Sequence, residues 1–488
     1  FLTFGDYADV TFAPKIYTSG TVTLQFDARK RFHNGKLDIS GAYTHDTIKA
    51  FPNRGYLFAS GALAFKNGYK GSMNLQFVSD GTYFLDHGIG EQERLESFVR
   101  LEKTTDKSYF GADILGFRPL RSVIAPQTIP FLMNGISYSR QISSDFAGGQ
   151  LRFDARQDGL YRASATDIVG RDVARFSATL DWQREWFTRN GVVFGAEAQL
   201  NADYYAINQD STFASPVSRV APVAAVSLRW PLAKSTSRGT QVIEPILQVV
   251  MAPDTVTATP NDDSVLLDFE SSNLFSLNRF SGRDVMEAGL RANIGVNYSR
   301  RAAMGWTLDA SIGRVLRARD LGQFAATSGL SGGASSYVSS LALGLPSRLR
   351  LEQRSVFDTA FNVSKSETAV KFHAEKLDVT ASYMWLTAGA AANLVNRSEW
   401  NVKTGLDLAR NWRTESLFRY DLASATASDA GMSLTYRNDC IKVDLSLSRS
   451  FVSSSNISAS TNIGFQVTLE GFGSRDSSTA GNRKCSDF

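Results

Sequence analysis

Hydrophobic positions in this chain return every second residue. Ala288, Leu290, Ala292, Ile294, Val296 and Tyr298 alternate with Gly289, Arg291, Asn293, Gly295 and Asn297. Leu377, Val379, Ala381, Tyr383 and Trp385 alternate with Asp378, Thr380, Ser382 and Met384. The same beat runs through Val192, Phe194, Ala196, Ala198 and Leu200, and through Ile441, Val443, Leu445 and Leu447. A period of two places successive side chains on opposite faces of a strand, one face apolar and one polar. No long stretch supplies the three- and four-residue steps of an amphipathic helix. The pattern predicts an all-β fold.

Starting from Tyr7–Tyr17, about 24 such segments follow, many of roughly 9–13 residues. That length suits a tilted strand crossing a bilayer, whereas soluble strands average ~5–6 residues. The connections divide by parity. After even-numbered strands they are tight: Asn34-Gly35, Asn67-Gly68, Asp106-Lys107, Asn190-Gly191, Ala374-Glu375 and Asn438-Asp439. After odd-numbered strands most are long: Gly81–Glu93, Gly159–Arg171, Ala206–Ala221, Ala252–Gly282, Leu316–Ala334 and Ser453–Thr461. Short turns at one end and long loops at the other mark a large antiparallel transmembrane β-barrel, and Asn-Gly pairs supply the positive φ that two-residue hairpins need. Trp186, Trp230, Trp306 and Trp412 fall near the tight-turn ends, Trp385 and Trp400 near the long-loop ends, and Trp182 mid-strand. Indoles at the headgroup boundary explain this placement; ordinary core tryptophans are the alternative. Closure follows because hydrocarbon tolerates no open sheet edge. A barrel this wide must be filled or must pass something large.

Composition narrows the classes. No run of 18 apolar residues offers a transmembrane helix, and the chain opens without a secretory signal. A net charge of +4, with 52 basic and 48 acidic residues interspersed, is unlike the concentrated basic face of a nucleic-acid binder. Two cysteines exclude a disulfide-dense scaffold. Gly329-Leu330-Ser331-Gly332-Gly333 matches a hydrolase elbow, but it sits in a Gly/Ala/Ser-rich loop between strands with no following helix. His33, His45, His87 and His373 are scattered, with no metal-binding spacing. We expect no enzyme activity and no cofactor.

Specific runs then carry a resemblance. Val242-Ile243-Glu244-Pro245 precedes Asp268-Phe269-Glu270-Ser271-Ser272-Asn273-Leu274-Phe275 and Leu277-Asn278-Arg279-Phe280-Ser281-Gly282-Arg283-Asp284. The opening Tyr7-Ala8-Asp9-Val10-Thr11-Phe12-Ala13-Pro14, the run from Cys440 to Arg449, and Asn462 to Gly471 add matching first and last strands. Together they resemble the LptD family of lipopolysaccharide-assembly proteins. The resemblance implies a 26-stranded barrel over residues 1–472 and an N-terminal β-jellyroll that this chain does not include; an even strand count starting from the periplasm then leaves residues 473–488 as a periplasmic tail.

It further implies that lipopolysaccharide reaches the barrel from an LptA-like periplasmic bridge through that jellyroll. An LptE-like lipoprotein fills the lumen. Acyl chains leave sideways into outer-membrane lipid through a lateral gate between the first and last strands. Gate candidates are Tyr7, Asp9, Thr11 and Pro14 on the first strand, and Asn462, Phe465, Val467 and Leu469 on the last. Pro14 has no N–H, so it removes a possible ladder bond from the closing strand; the alternative is a frayed strand end. Asn278, Arg279, Ser281, Gly282 and Asp284 are expected to form an ordered extracellular loop over or into the lumen. Cys440 and Cys485 would share the oxidising periplasm. In the family an adjacent cysteine pair ties barrel to jellyroll, whereas Cys440 stands beside Asp439 and Ile441. Pairing with the jellyroll, pairing with each other, and two free thiols all stay open. A porin or nutrient transporter is the alternative function. A porin is expected to have fewer strands, and an energy-coupled transporter an N-terminal plug.

Overall fold

A computed structural model describes the chain except residues 18–19, 88, 90–91, 121–127, 144–147, 214, 264–266, 347, 388–395, 439–440, 452–458 and 470–488. The described residues form 26 strands, and the longest helix is the four-residue Tyr83–Asp86. Leu2–Thr3 has only two residues, and Val217–Arg229 and Leu232–Thr236 pair with the same strand in one register. Setting the first aside and counting the last two as one leaves 24 full-length strands, the number read from periodicity.

The chain divides into two compact units. One comprises Phe1–Arg184, Glu197–Val223 and Val256–Asn261; the other Glu185–Ala196, Ala224–Thr255 and Asp262–Phe488. In the first unit, consecutive strands from Ala8–Ile16 to Asp172–Phe187 pair antiparallel; the ladder of Tyr69–Val78 to Arg94–Thr104 runs only as far as Asn74, and the register shifts between Tyr161 and Arg162. In the second, the same meander runs from Gly239–Met251 to Ser460–Leu469.

Register sorts the side chains sharply. Leu57, Phe77, Val99, Ile114 and Ile136 share one exposed face of the first unit; Leu228, Leu247, Ile294 and Ile312 share one of the second. A water-soluble fold would bury such residues, and a contiguous exposed apolar surface signals a lipid or partner environment. The opposite face is polar: Asp9 faces Arg29, Arg31 bonds Asp38, and Gln248 bonds Asn293.

The structure lengthens several strands beyond their sequence limits. Gly159 belongs to Gln150–Arg162, Ala206 to Val193–Asn208, and Leu316 to Thr307–Arg317, so the intervening loops are shorter than expected. Trp182 lies within Asp172–Phe187, opposite Leu151, and donates to the carbonyl of Gly148 at 3.0 Å in the connection that precedes Gln150–Arg162. One loop grows instead. The connection after Met251 runs to residue 290, and the next strand begins at Arg291 rather than Ala288. Glu287 and Ala288 are buried within the loop, and Gly289 has φ +87, which breaks the extended run.

The in-strand prolines have legible consequences. Antiparallel residues present both backbone groups alternately to one neighbour and the other. Arg31 N–H bonds Tyr7 C=O and Tyr17 N–H bonds Thr21 C=O, so odd residues of the first long strand serve the Val22–Phe32 neighbour. Pro14, opposite Leu24, therefore lacks its donor on the other edge, and the Ala8–Ile16 ladder to Val22–Phe32 stays continuous. Pro245 lacks its donor toward Trp230, whose own N–H bonds the Pro245 carbonyl at 3.2 Å. That single missing bond divides Val217–Arg229 from Leu232–Thr236. We predict that Pro245→Val restores a bond to the Trp230 carbonyl and adds about 1 kcal/mol of stability, read as a later urea midpoint. An earlier midpoint would mean that the interruption is required.

Candidate functional site

The first-strand gate candidates lie where the register puts them. Tyr7 is exposed just before Ala8–Ile16; Asp9 is ion-paired to Arg29 at 3.0 Å; Thr11 stands opposite Asp27. Leu2–Thr3 folds back onto the edge of this strand away from Val22–Phe32, opposite Val10 and Asp9. Phe4 N–H extends that contact to the Ala8 carbonyl at 2.8 Å. Among the described residues, this short segment covers one end of the edge with the missing Pro14 donor. Asn462, Phe465, Val467 and Leu469 all fall in Ser460–Leu469, whose described ladder is to Ile441–Ser450. Phe465 and Val467 project from the apolar face, with Phe465 opposite Leu445 and 71% exposed.

The long loop after Met251 is a folded body. Glu287 is its hub: its carboxylate takes Arg279 at 2.7 Å, Arg317 at 3.0 Å and Arg291 at 3.5 Å, all four side chains 5% exposed or less. Three cations on one anion would repel in a dry site, so carbonyl dipoles complete their solvation. Arg279 also donates to the Leu274 carbonyl and the Asn293 side chain, Arg291 to the Leu277 carbonyl, and Arg317 to that of Leu330. Burial draws the Arg279 guanidinium below its ordinary pKa against the opposing pull of Glu287.

The other predicted loop residues fix the turn. Asn278 accepts from the backbone of Phe280 and Glu287 and donates to the Val285 carbonyl. Buried Asp284 accepts Asp262 N–H at 2.9 Å, while Asp263 accepts the N–H groups of Arg283 and Asp284. Gly282 has φ +77, and a Cβ there would lie 2.1 Å from the Asp263 carboxylate, so only glycine fits. Ser281 is exposed at the loop surface. Leu274 sits against the glycine pair Gly295 and Gly313, and joins Phe269, Val315, Phe324, Leu330, Val338 and Val356 in a buried cluster. Gly295, Gly313 and Val315 share the polar face, because Ile294 and Ile312 occupy the apolar one. The loop has therefore built a small hydrophobic core on the polar side of its own strands.

Sequence reading missed a counterpart in the first unit. Arg54, 2% exposed, is held by Asp46 at 2.7 Å, Asp86 at 2.8 Å and Asp80 at 3.3 Å, with His87 3.0 Å from Asp46. Tyr83 and Phe84 of the loop helix pack there with Val78, Leu95 and Leu120, and Tyr83 hydroxyl meets Thr44 at 2.6 Å. These charges are separated by up to 41 residues, so no local motif announces them. Burial alone would raise the Asp46 carboxyl, but the Arg54 and Ile48 hydrogen bonds outweigh it and hold it below its ordinary value. Asp80 is lowered likewise, its burial outweighed by bonds from Ser79 and Thr82. Also in this unit, Arg219 clamps Asp203 at 2.7 Å and Thr259 at 3.1 Å, and Arg171 reaches the Asn261 carbonyl. Cys440 and Cys485 lie outside the described residues. Among those described, no cluster of potential metal ligands occurs.

Two measurements check these loop cores. Glu287→Gln leaves three buried guanidinium groups without their anion and should cost about 3–5 kcal/mol, opening residues 252–290 to limited proteolysis; intact protection would show that the carbonyls suffice. Asp46 and Asp80 have depressed folded pKa values, so their stabilisation holds above the ordinary Asp value of 3.8 and is lost as pH falls through the folded ones. Cleavage within residues 79–93 should accordingly rise on acidification below that value, and Asp46→Asn should already show it at neutral pH. A flat acid profile in the parent protein would remove the carboxylates from that role.

Solved structures that match the chain include the siderophore receptor PirA from Pseudomonas aeruginosa, at 10% identity and TM-score 0.38 over 95% of this chain and 80% of that one. The alcaligin outer-membrane receptor FauA from Bordetella pertussis gives 10%, 0.31, 91% and 74%. No curated protein matches the chain. The family profile of LptD, LPS transport system D, matches residues 52–412, a span that includes the glycine-anchored loop and its arginine hub. The chain belongs to the LptD family, outer-membrane β-barrels of lipopolysaccharide transport.

Proposed function

We propose that this barrel sits in the outer membrane and inserts lipopolysaccharide into its outer leaflet, releasing the acyl chains between Ala8–Ile16 and Ser460–Leu469. Family membership supports the substrate class. The single observation favouring the exit is the orientation of Pro14: its absent donor falls on the edge away from Val22–Phe32. A strand edge in hydrocarbon loses several kcal/mol or so for each unmet backbone group, so a donor-poor edge is the cheapest place to part a closed sheet. Apolar Phe465 and Val467 on the final strand suit contact with acyl chains.

In this reading the tight turns face the periplasm and the long loops face outward. The Glu287-centred loop then caps the lumen from outside, through Asn278, Arg279, Ser281, Gly282 and Asp284. An LptE-like lipoprotein fills the lumen, and an LptA-like bridge delivers substrate through a β-jellyroll. Cys440 and Cys485 would be periplasmic thiols available for pairing. A channel for nutrients is the competing reading; it needs no parting of strands.

A disulfide engineered between the first and last strands should stop lipopolysaccharide export while leaving a folded barrel, with export recovered on reduction. Photocrosslinkers at Thr11 and Phe465 should capture lipopolysaccharide in cells. Normal export by the locked protein would eliminate the lateral exit and favour the channel.

A further inference from the structure

The apolar face is as selective about charge as about polarity. At register-paired positions of the described strands, every Asp and Glu lies on the polar face and none on the apolar face. Cations are admitted. Lys30, Lys103, Arg140, Lys234 and Arg300 all stand on the apolar face near tight-turn ends. Arg314 and Arg449 stand singly toward the long-loop ends, each over an aromatic ring.

Four of the tight-turn cations form doublets, one in each unit. Lys234 is opposite Gln241, which is opposite Arg300, so two cations flank one amide across three strands about 4.8 Å apart. The Arg300 guanidinium lies 4.9 Å from the Trp306 ring, and Tyr298 hydroxyl donates to Gln241 at 3.3 Å. In the first unit, Lys103 is opposite Phe110 and Arg140 is opposite the neighbouring Ser108. The Lys103 ammonium lies 4.9 Å from the Tyr69 ring, which meets Phe110 edge-on. Among the described residues none of these four cations has a carboxylate partner.

We propose that each doublet binds the phosphate headgroup of an anionic glycerophospholipid, with its acyl chains lying along the apolar strands above. A membrane interface leaves a cation two means of neutralisation, water or an anionic headgroup, and a headgroup is worth severalfold in affinity per cation. The ring beside each doublet supplies a flat amphipathic wall at headgroup depth, and among the described residues no carboxylate competes for these four cations. The proposal rests on the membrane-barrel reading and is independent of the lateral exit.

The test places the full chain in vesicles of phosphatidylglycerol and phosphatidylcholine, extracts it, and weighs retained lipid by native mass spectrometry. Wild type should retain phosphatidylglycerol over phosphatidylcholine and lose the preference in high salt. K234Q/R300Q and K103Q/R140Q should each lose about fivefold retention per cation removed, while K234R/R300K keeps it. K403Q, which alters an exposed cation on the polar face, should change nothing. Heat-dependent gel mobility confirms that each variant is folded. Equal retention of both lipids, or retention unchanged in the double variants, overturns the proposal. So does displacement by lipopolysaccharide with no phosphatidylglycerol preference, which would assign the doublets to a different phosphate. Failure to float with phosphatidylcholine vesicles would instead overturn the membrane reading itself.

Discussion

A strand can cross hydrocarbon only if every backbone N–H and C=O finds a partner in a neighbouring strand. That requirement explains why the chain spends so much of its length in long antiparallel ladders and almost none in helix. It also makes each missing donor conspicuous. Pro245 breaks one strand into two without disturbing its register, because only one bond is lost and the flanking pairs hold. Pro14 leaves its inner ladder whole and weakens the opposite edge. The same residue type thus has two outcomes, decided by which neighbour its nitrogen faces.

The polar face poses a second problem, since a wide sheet cannot fill the space beside it with its own side chains. Both units solve it by folding a loop back onto that face. In one, Tyr83 and Phe84 cover Val78 beside a buried Arg54 ringed by three aspartates. In the other, Leu274 sits on paired glycines beside a buried Glu287 ringed by three arginines. The charge signs are reversed but the construction is shared: a central ion of one sign, several of the other, and local dipoles absorbing the excess. A buried network whose charges are met by opposite charges and carbonyl dipoles holds the loop in one conformation. That suits a loop that must stay ordered where the long connections gather.

Charge also distinguishes the two faces of the sheet beyond simple polarity. At the register-paired positions of the described strands, carboxylates are confined to one side, where Asp9 and Asp38 find arginine partners. Lys103 and Arg300 occupy the other, against aromatic rings rather than anions. Surface ion pairs contribute little to stability, so this sorting speaks to the surroundings of each face rather than to folding energy.

The sequence by itself determined what is local. Alternation every two residues identified Leu377–Leu386 and Ile441–Ser450, and Asn-Gly pairs located the tight turns, because strand period and turn conformation are written in adjacent residues. The run from Asn278 to Asp284 carried the family resemblance, because its residues are contiguous in the chain. Only the tertiary structure decided what distant residues share. Glu287 reads as a loop-end glutamate until Arg279, Arg291 and Arg317 converge on it, and Arg54 reads as an ordinary strand cation until loops 32 residues away close over it. Gly295 and Gly313 reveal their purpose only when register sets them side by side beneath Leu274. Ladder register fixes which side chains meet across a sheet, and register belongs to pairs of strands, so no single segment of the chain encodes it alone.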